Sequence, residues 1–159
     1  MKKPLILITN DDGITSKGIF ELILAVKGLG EIIVVAPAYP QSGMGHAITV
    51  GDTLKIKKSQ IFKGIEAYEC SGTPADCVKL AKYQILKGRR VDLLLSGINH
   101  GSNTSINVLY SGTMGAAIEG AIDSTSSIGF SLCDYDPNCN FSHGLPFVVK
   151  IVKEVLRKG

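Results

Sequence analysis

The sequence predicts a single α/β domain with a mostly parallel sheet and a β-hairpin at one edge. Three observations carry this. Short runs of Ile, Leu and Val such as Leu5–Ile8 and Ile32–Val35 lack polar alternation, as strands buried on both faces do. Segments with apolar residues at helical spacing separate these runs. Polar, glycine-punctuated loops follow the carboxyl ends of the runs, the edge at which open α/β sheets bind ligands.

In chain order, the aliphatic run Leu5–Ile8 is the first strand, leading through Thr9 into Asn10-Asp11-Asp12-Gly13. Gly13 permits a turn, and Ile19, Leu22, Ile23 and Val26 recur at helical spacing. Glu31–Ala36 is a second buried strand that stops at Pro37, followed by a loop of turn formers through Gly45. Ala47–Val50 and Thr53–Lys58, split by Gly51-Asp52, read as the edge hairpin, its lysines discouraging edge-to-edge pairing. Ile65–Cys70 is a further strand. Thr73-Pro74-Ala75-Asp76 opens a helix, with an N-cap, Pro at N1 and an acid at N3, and Gly88 ends it. Val91–Leu95 is a third parallel strand, left by the polar loop Ser96–Asn103. Ser111-Gly112-Thr113 leads into a helix from Met114 to about Asp123, whose Gly115, Ala116, Ala117, Gly120 and Ala121 fit close packing on the sheet. Ile128–Cys133 is a strand, Asp134–Asn140 a loop, and Leu145–Leu156 an amphipathic helix.

Composition sets the class. A chain of 159 residues suits one domain with a real core. Its 45% hydrophobic content and mean hydropathy of +0.22 suit a sheet buried between helices. No apolar run approaches the ~20 residues of a membrane span. Lys2-Lys3 precedes only a strand-length run ending in acids, so no signal peptide is expected. The net charge of +3, from 17 basic and 14 acidic residues, does not argue for a nucleic-acid partner. Lys55, Lys57, Lys58 and Arg89-Arg90 read as solvated faces. Cys70, Cys77, Cys133 and Cys139 form no C-x-x-C pair and read as reduced thiols of a cytoplasmic protein.

Asp11 and Asp12 are the first candidate functional residues. Adjacent carboxylates repel unless a cation lies between them, and a divalent metal neutralises both. Asp-Asp-Gly is equally turn or helix-cap chemistry, and the pair alone does not decide. Ser42 follows the second strand and Asn99 the strand Val91–Leu95, so two carboxylates, a hydroxyl and an amide oxygen converge on one edge. That all-oxygen set suits Mg²⁺, Mn²⁺ or Ca²⁺ and not zinc or copper. Ser111, Gly112 and Thr113 offer backbone N–H groups and hydroxyls at a helix N-terminus, an anion site or simply a cap. A hard cation beside such a site is what cleavage of a phosphate ester needs. His46, His100 and His143 read as loop histidines; His100 adjoins Asn99, but a leaving-group role needs geometry.

The sequence resembles the SurE-type (survival protein E) nucleotidases, metal-dependent 5′/3′-nucleoside monophosphate phosphatases. The resemblance rests on Asn10-Asp11-Asp12-Gly13, Ala36-Pro37 with Gln41-Ser42-Gly43, and Cys70-Ser71-Gly72-Thr73-Pro74-Ala75-Asp76-Cys77-Val78. Ser96-Gly97-Ile98-Asn99-His100-Gly101 and Tyr110-Ser111-Gly112-Thr113-Met114-Gly115-Ala116-Ala117 complete it, covering the chain to about Leu132. It implies a Rossmann-like, three-layer (α/β/α) domain and one divalent metal ion per subunit, Mg²⁺ or Mn²⁺, held by Asp11, Asp12, Ser42 and Asn99. It further implies a phosphate cradled by Gly43, Asn99 and Ser111–Thr113, with Asp11 and Asp12 catalytic and a nucleoside monophosphate as substrate. Members of the family continue past this point with C-terminal elements that exchange between subunits. The resemblance therefore implies a single core domain over 1–159, lacking the family's C-terminal portion, and a homodimer or homotetramer in the full-length form.

Two chemical routes fit: water attack with Asp11 as general base, or an aspartyl-phosphate intermediate. Rival classes fit less well. A receiver domain needs a phosphoacceptor Asp after the third strand and a Lys after the last, where this chain has Asn99 and Cys133-Asp134-Tyr135-Asp136. A haloacid-dehalogenase-type phosphatase separates its acids by one residue. A non-catalytic phosphate- or nucleotide-binding subunit would use the same residues, and only turnover separates it.

Overall fold

The computed structural model describes residues 3–136 and 138–158. Six strands form one sheet in the order β3-β4-β2-β1-β5-β6. They are β1 (Leu5–Thr9), β2 (Glu31–Pro37), β3 (Ile56–Ser59), β4 (Glu66–Cys70), β5 (Leu93–His100) and β6 (Ser127–Leu132). Every neighbouring pair is parallel except β3 with β4. Among the described residues four α-helices flank it: α1 (Lys17–Val26), α2 (Pro74–Leu80), α3 (Gly112–Ile122) and α4 (Leu145–Lys158). A π-helical turn, Ala81–Ile85, prolongs α2.

Because side chains of a strand alternate between faces, the all-aliphatic run of β1 feeds two cores. Ile6 and Ile8 pack with Val34, Leu93 and Leu95 beneath Ile19, Leu22 and Val26 of α1 and Val148 and Val152 of α4. Leu5 and Leu7 pack with Ile33, Val35 and Leu94 beneath Cys77 and Val78 of α2 and Ala116 of α3. The expected close approach of α3 is observed. A Cβ on Gly120 would lie 2.4 Å from Ser127 Oγ and 2.9 Å from Leu94 Cδ1.

Two expectations are corrected. The edge hairpin is real, but its strands are β3 and β4, with Lys57 opposite Glu69 and an ion pair of 3.3 Å between them. Ala47–Val50 is not a strand. Thr49 instead spends its N–H and hydroxyl on Asp76 (Oγ1 to Oδ2, 2.6 Å), and the Ala47 carbonyl accepts from Thr73 Oγ1 at 2.7 Å. Side chains at the start of α2 thus replace a ladder. The third parallel strand begins at Leu93 and runs on through the expected loop to His100, its register with β6 shifting between Ser96 and Asn99. There the carbonyl of Ile98 lies 1.9 Å from where a Cβ on Gly18 would stand, so α1 approaches this bulge only because residue 18 lacks a side chain.

Candidate functional site

β1 sits between β2 on one side and β5 on the other. The chain winds one way from β1 to β2 and the other way from β5 to β6, leaving a crevice beyond their carboxyl ends. Asn10, Asp11, Asp12, the loop after β2 and the end of β5 meet there. Asn10 ties the turn down, its Nδ2 donating to the Gly13 carbonyl (2.9 Å) and Ser16 Oγ (2.7 Å). Gly13 takes φ +92°, a left-handed conformation suited to glycine. The Gln41 N–H then donates to the Asp11 carbonyl at 2.7 Å, drawing the second loop over the first.

An open hollow of about 230 Å³ results, lined by Asp11, Asp12, Ser42, Gly43, Asn99 and Ser111 among others. Thus all four expected metal ligands share one hollow with three of the five expected phosphate contacts, Gly43, Ser111 and Asn99, the last common to both sets. Gly112 and Thr113 stand behind it. Thr113, fully buried, donates its hydroxyl to Asp11 Oδ1 at 2.5 Å. Ser111 Oγ accepts the Met114 N–H at 3.1 Å and so caps α3. Gly112 passes Asp11 closely: a Cβ there would meet Asp11 Cβ at 2.8 Å. The hydroxyl–carboxylate bond of Thr113 carries no sequence signal, since its partner lies 102 residues away.

The electrostatics are those of a site short of positive charge. Burial pushes the Asp11 carboxyl above its ordinary range; the Thr113 hydrogen bond opposes this and the Asp12 charge adds to it. Burial likewise raises Asp12, against the pull of the His100 backbone and ring. Among the described residues, Asp12 Oδ2 is buried without a hydrogen-bond partner, as are Thr9 Oγ1, Asn10 Oδ1 and Ser96 Oγ. Unpaired buried carboxylate oxygen is costly. Asn99 donates Nδ2 to the Gly101 carbonyl at 3.1 Å, which fixes its amide plane. His100 lines the hollow, but its Nδ1 faces Cys139 Sγ at 3.4 Å and its ring meets Phe141 edge-on. Among the described residues no cluster of three His, Cys, Asp or Glu side chains is suited to a metal, so a cation here needs Ser and Asn donors. His143 lies outside the hollow, and His46 is taken up below. The four cysteines are free thiols, and no described helix is long and apolar enough to cross a membrane.

A larger hollow of about 600 Å³ lies at the opposite, amino-terminal edge of the sheet, beside Lys3, Glu31, Arg89 and Asp92. Its carboxylates are satisfied, Glu31 by Arg89 (2.7 Å) and Asp92 by the Leu5 N–H (2.7 Å), so it lacks the demand for charge that Asp12 shows.

Fold and site together define a Rossmann-like α/β protein with paired acids and an oxygen-lined hollow at the switch point of its sheet. The chain belongs to the Survival protein SurE family, whose profile matches residues 6–159. It is 64% identical over its whole length to a protein of Cytophaga hutchinsonii named 5′-nucleotidase SurE, covering 61% of that relative. A Flavobacterium psychrophilum protein of the same name is 56% identical, with 62% of its length covered. The crystal structure of SurE protein from Aquifex aeolicus superposes with a TM-score of 0.88 at 43% identity, over 98% of this chain and 61% of that one. The chain therefore spans about three-fifths of the length of these relatives.

Proposed function

We propose that this chain is the core domain of a divalent-metal-dependent phosphomonoesterase that hydrolyses nucleoside 5′-monophosphates, and also 3′-monophosphates, to nucleoside and phosphate. The observation that carries this reading is the unpartnered, buried Asp12 Oδ2 beside Asp11, in one hollow with Ser42 and Asn99. The names borne by the similar proteins point the same way. The donor set suits a hard cation, one Mg²⁺ or Mn²⁺ per subunit, held by Asp11, Asp12, Ser42 and Asn99. When bound, such an ion neutralises phosphate charge and acidifies water.

The remaining work falls to the chain. Gly43, Asn99 and the α3 N-terminus at Ser111–Thr113 orient the phosphate, the dipole of an eleven-residue helix favouring an anion there. Asp11 accepts the proton of the attacking water at Oδ2, since Thr113 occupies Oδ1. The full-length protein is proposed to be a homodimer or homotetramer. The cytoplasm is its proposed compartment, consistent with four free thiols.

The test is phosphate release from a panel of nucleoside 5′- and 3′-monophosphates with Mg²⁺ or Mn²⁺, repeated in EDTA. Release that EDTA abolishes and added metal restores supports the reading. Tight phosphate or nucleotide binding without release would replace the enzyme by a binding subunit.

A further inference from the structure

Ser42 and Gly43 occupy an exposed bend with two left-handed glycines, Gly43 itself at φ +76° and, two residues on, Gly45 at φ +58°. Upstream the bend is fixed where the Gln41 N–H meets the Asp11 carbonyl. Downstream it is fixed on α3. The Gly45 N–H donates to the Tyr110 carbonyl at 2.9 Å, and Gly45 lies so close that a Cβ on Gly115 would come within 2.2 Å of its oxygen. Glu119 stands four residues beyond Gly115, hence on the same face of α3. It is 4% exposed, yet both its oxygens are occupied: Oε1 by Lys79 Nζ of α2 at 2.6 Å, Oε2 by His46 Nε2 at 2.7 Å.

A buried carboxylate is tolerable when paired, and Lys79 alone supplies a full charge. The contact with His46 therefore does more for the loop than for Glu119, because nothing else on that side chain is held. We infer that His46 is a positioning residue, whose hydrogen bond to Glu119 holds the Ser42–Gly43 bend over Asp11 and Asp12. Phosphate and cation affinity then depend on a side chain that touches neither. This rests on the proposed role of Ser42 and Gly43 and adds to it the element that sets their place. The bend is tethered upstream by Gln41 to Asp11 and downstream by Gly45 to Tyr110 and His46 to Glu119, and of these three contacts only that of His46 is made by a side chain of the loop.

The test compares His46→Ala and His46→Gln in the full chain, by calorimetric titration with Mn²⁺ and with inorganic phosphate, and by steady-state kinetics on AMP. Glutamine places an N–H donor near the position of Nε2. The expected result is Mn²⁺ and phosphate affinity lowered about five- to tenfold in His46→Ala, the scale of one lost hydrogen bond. KM for AMP rises in parallel, kcat changes less than about twofold, and His46→Gln recovers most of the affinity. Unchanged affinities in His46→Ala, even with a lowered Tm, make the contact merely structural and overturn the inference. So does a His46→Gln protein no better than the alanine variant. Wild-type protein that binds neither Mn²⁺ nor phosphate defeats the underlying reading as well, and is told apart by the unmutated control.

Discussion

Asp11 and Asp12 are held differently although adjacent. Asp11 has one oxygen on the Thr113 hydroxyl, while Asp12 keeps a buried oxygen without a partner. Both carboxyls sit above their ordinary range, so the metal-free folded state binds their protons to higher pH than the unfolded chain does. The sign follows from linkage: this contribution to stability is fully present below the unfolded value, about pH 4, and is lost as pH rises through the raised values. Metal-free Asp12→Asn is therefore expected to melt above wild type at pH 7, with the gap closing towards pH 4. Each kcal/mol relieved moves Tm by about 2–4 °C in a chain of this size. Differential scanning calorimetry in EDTA across that range measures it; a variant that melts lower at pH 7 contradicts the assignment. Thr113→Val keeps the shape but strips Asp11 of its hydrogen bond, at a cost of about 1–3 kcal/mol. Thermal unfolding should show that loss, and the acidic limb of the rate profile should move to higher pH.

Elements place these residues through close approaches more than through large side chains. α3 lies on the sheet and against the second loop because Gly112, Gly115 and Gly120 leave room for Asp11, Gly45 and Ser127 respectively. Gly115→Ala, otherwise favourable in a helix by about 1 kcal/mol, is expected to weaken Mn²⁺ binding while leaving the far-UV circular dichroism unchanged, because the atoms nearest the added Cβ are loop backbone of Gly45 and His46. α2 anchors the same loop from the other side through a capping box, Thr73 Oγ1 accepting from the Asp76 N–H at 3.1 Å and Asp76 Oδ2 from the Thr73 N–H at 2.9 Å. That box was legible from Thr73-Pro74-Ala75-Asp76, as were β1 and β2 from their unbroken aliphatic runs. What misled the reading at Ala47–Val50 was β-prone composition whose backbone partners turn out to be Asp76 and Thr73, far away in sequence. β5 outran its expected end because Ser96-Gly97-Ile98-Asn99 has loop composition but lies between β1 and β6, where neighbours supply the pairing.

At the scale of the whole molecule, sheet order decides where chemistry can occur. β1 and β5 are adjacent and send their connections to opposite sides, so the acids after β1 and Asn99 near the end of β5 face one crevice. The convergence of Asp11, Asp12, Ser42 and Asn99 was legible because strand ends can be counted along the sequence. The tether from His46 to Glu119 was not, since it depends on the angle at which a loop crosses a helix. A site assembled from three loops and short of positive charge should be stabilised by its cation. At Mn²⁺ a hundredfold above Kd the gain is about 2.7 kcal/mol, seen as a rise in Tm that Asp12→Asn lacks.

The most direct test of the central claim, that the paired acids hold a divalent ion required for phosphate-ester cleavage, is a Mn²⁺ titration of phosphate release from AMP. Wild-type protein and Asp11→Asn are run side by side after dialysis against EDTA. The account predicts no release before metal is added, saturable release as Mn²⁺ rises, and a loss of at least about a thousandfold in Asp11→Asn, as for removal of a group central to transition-state stabilisation. Release that persists in EDTA, or near-full activity in Asp11→Asn, would contradict it.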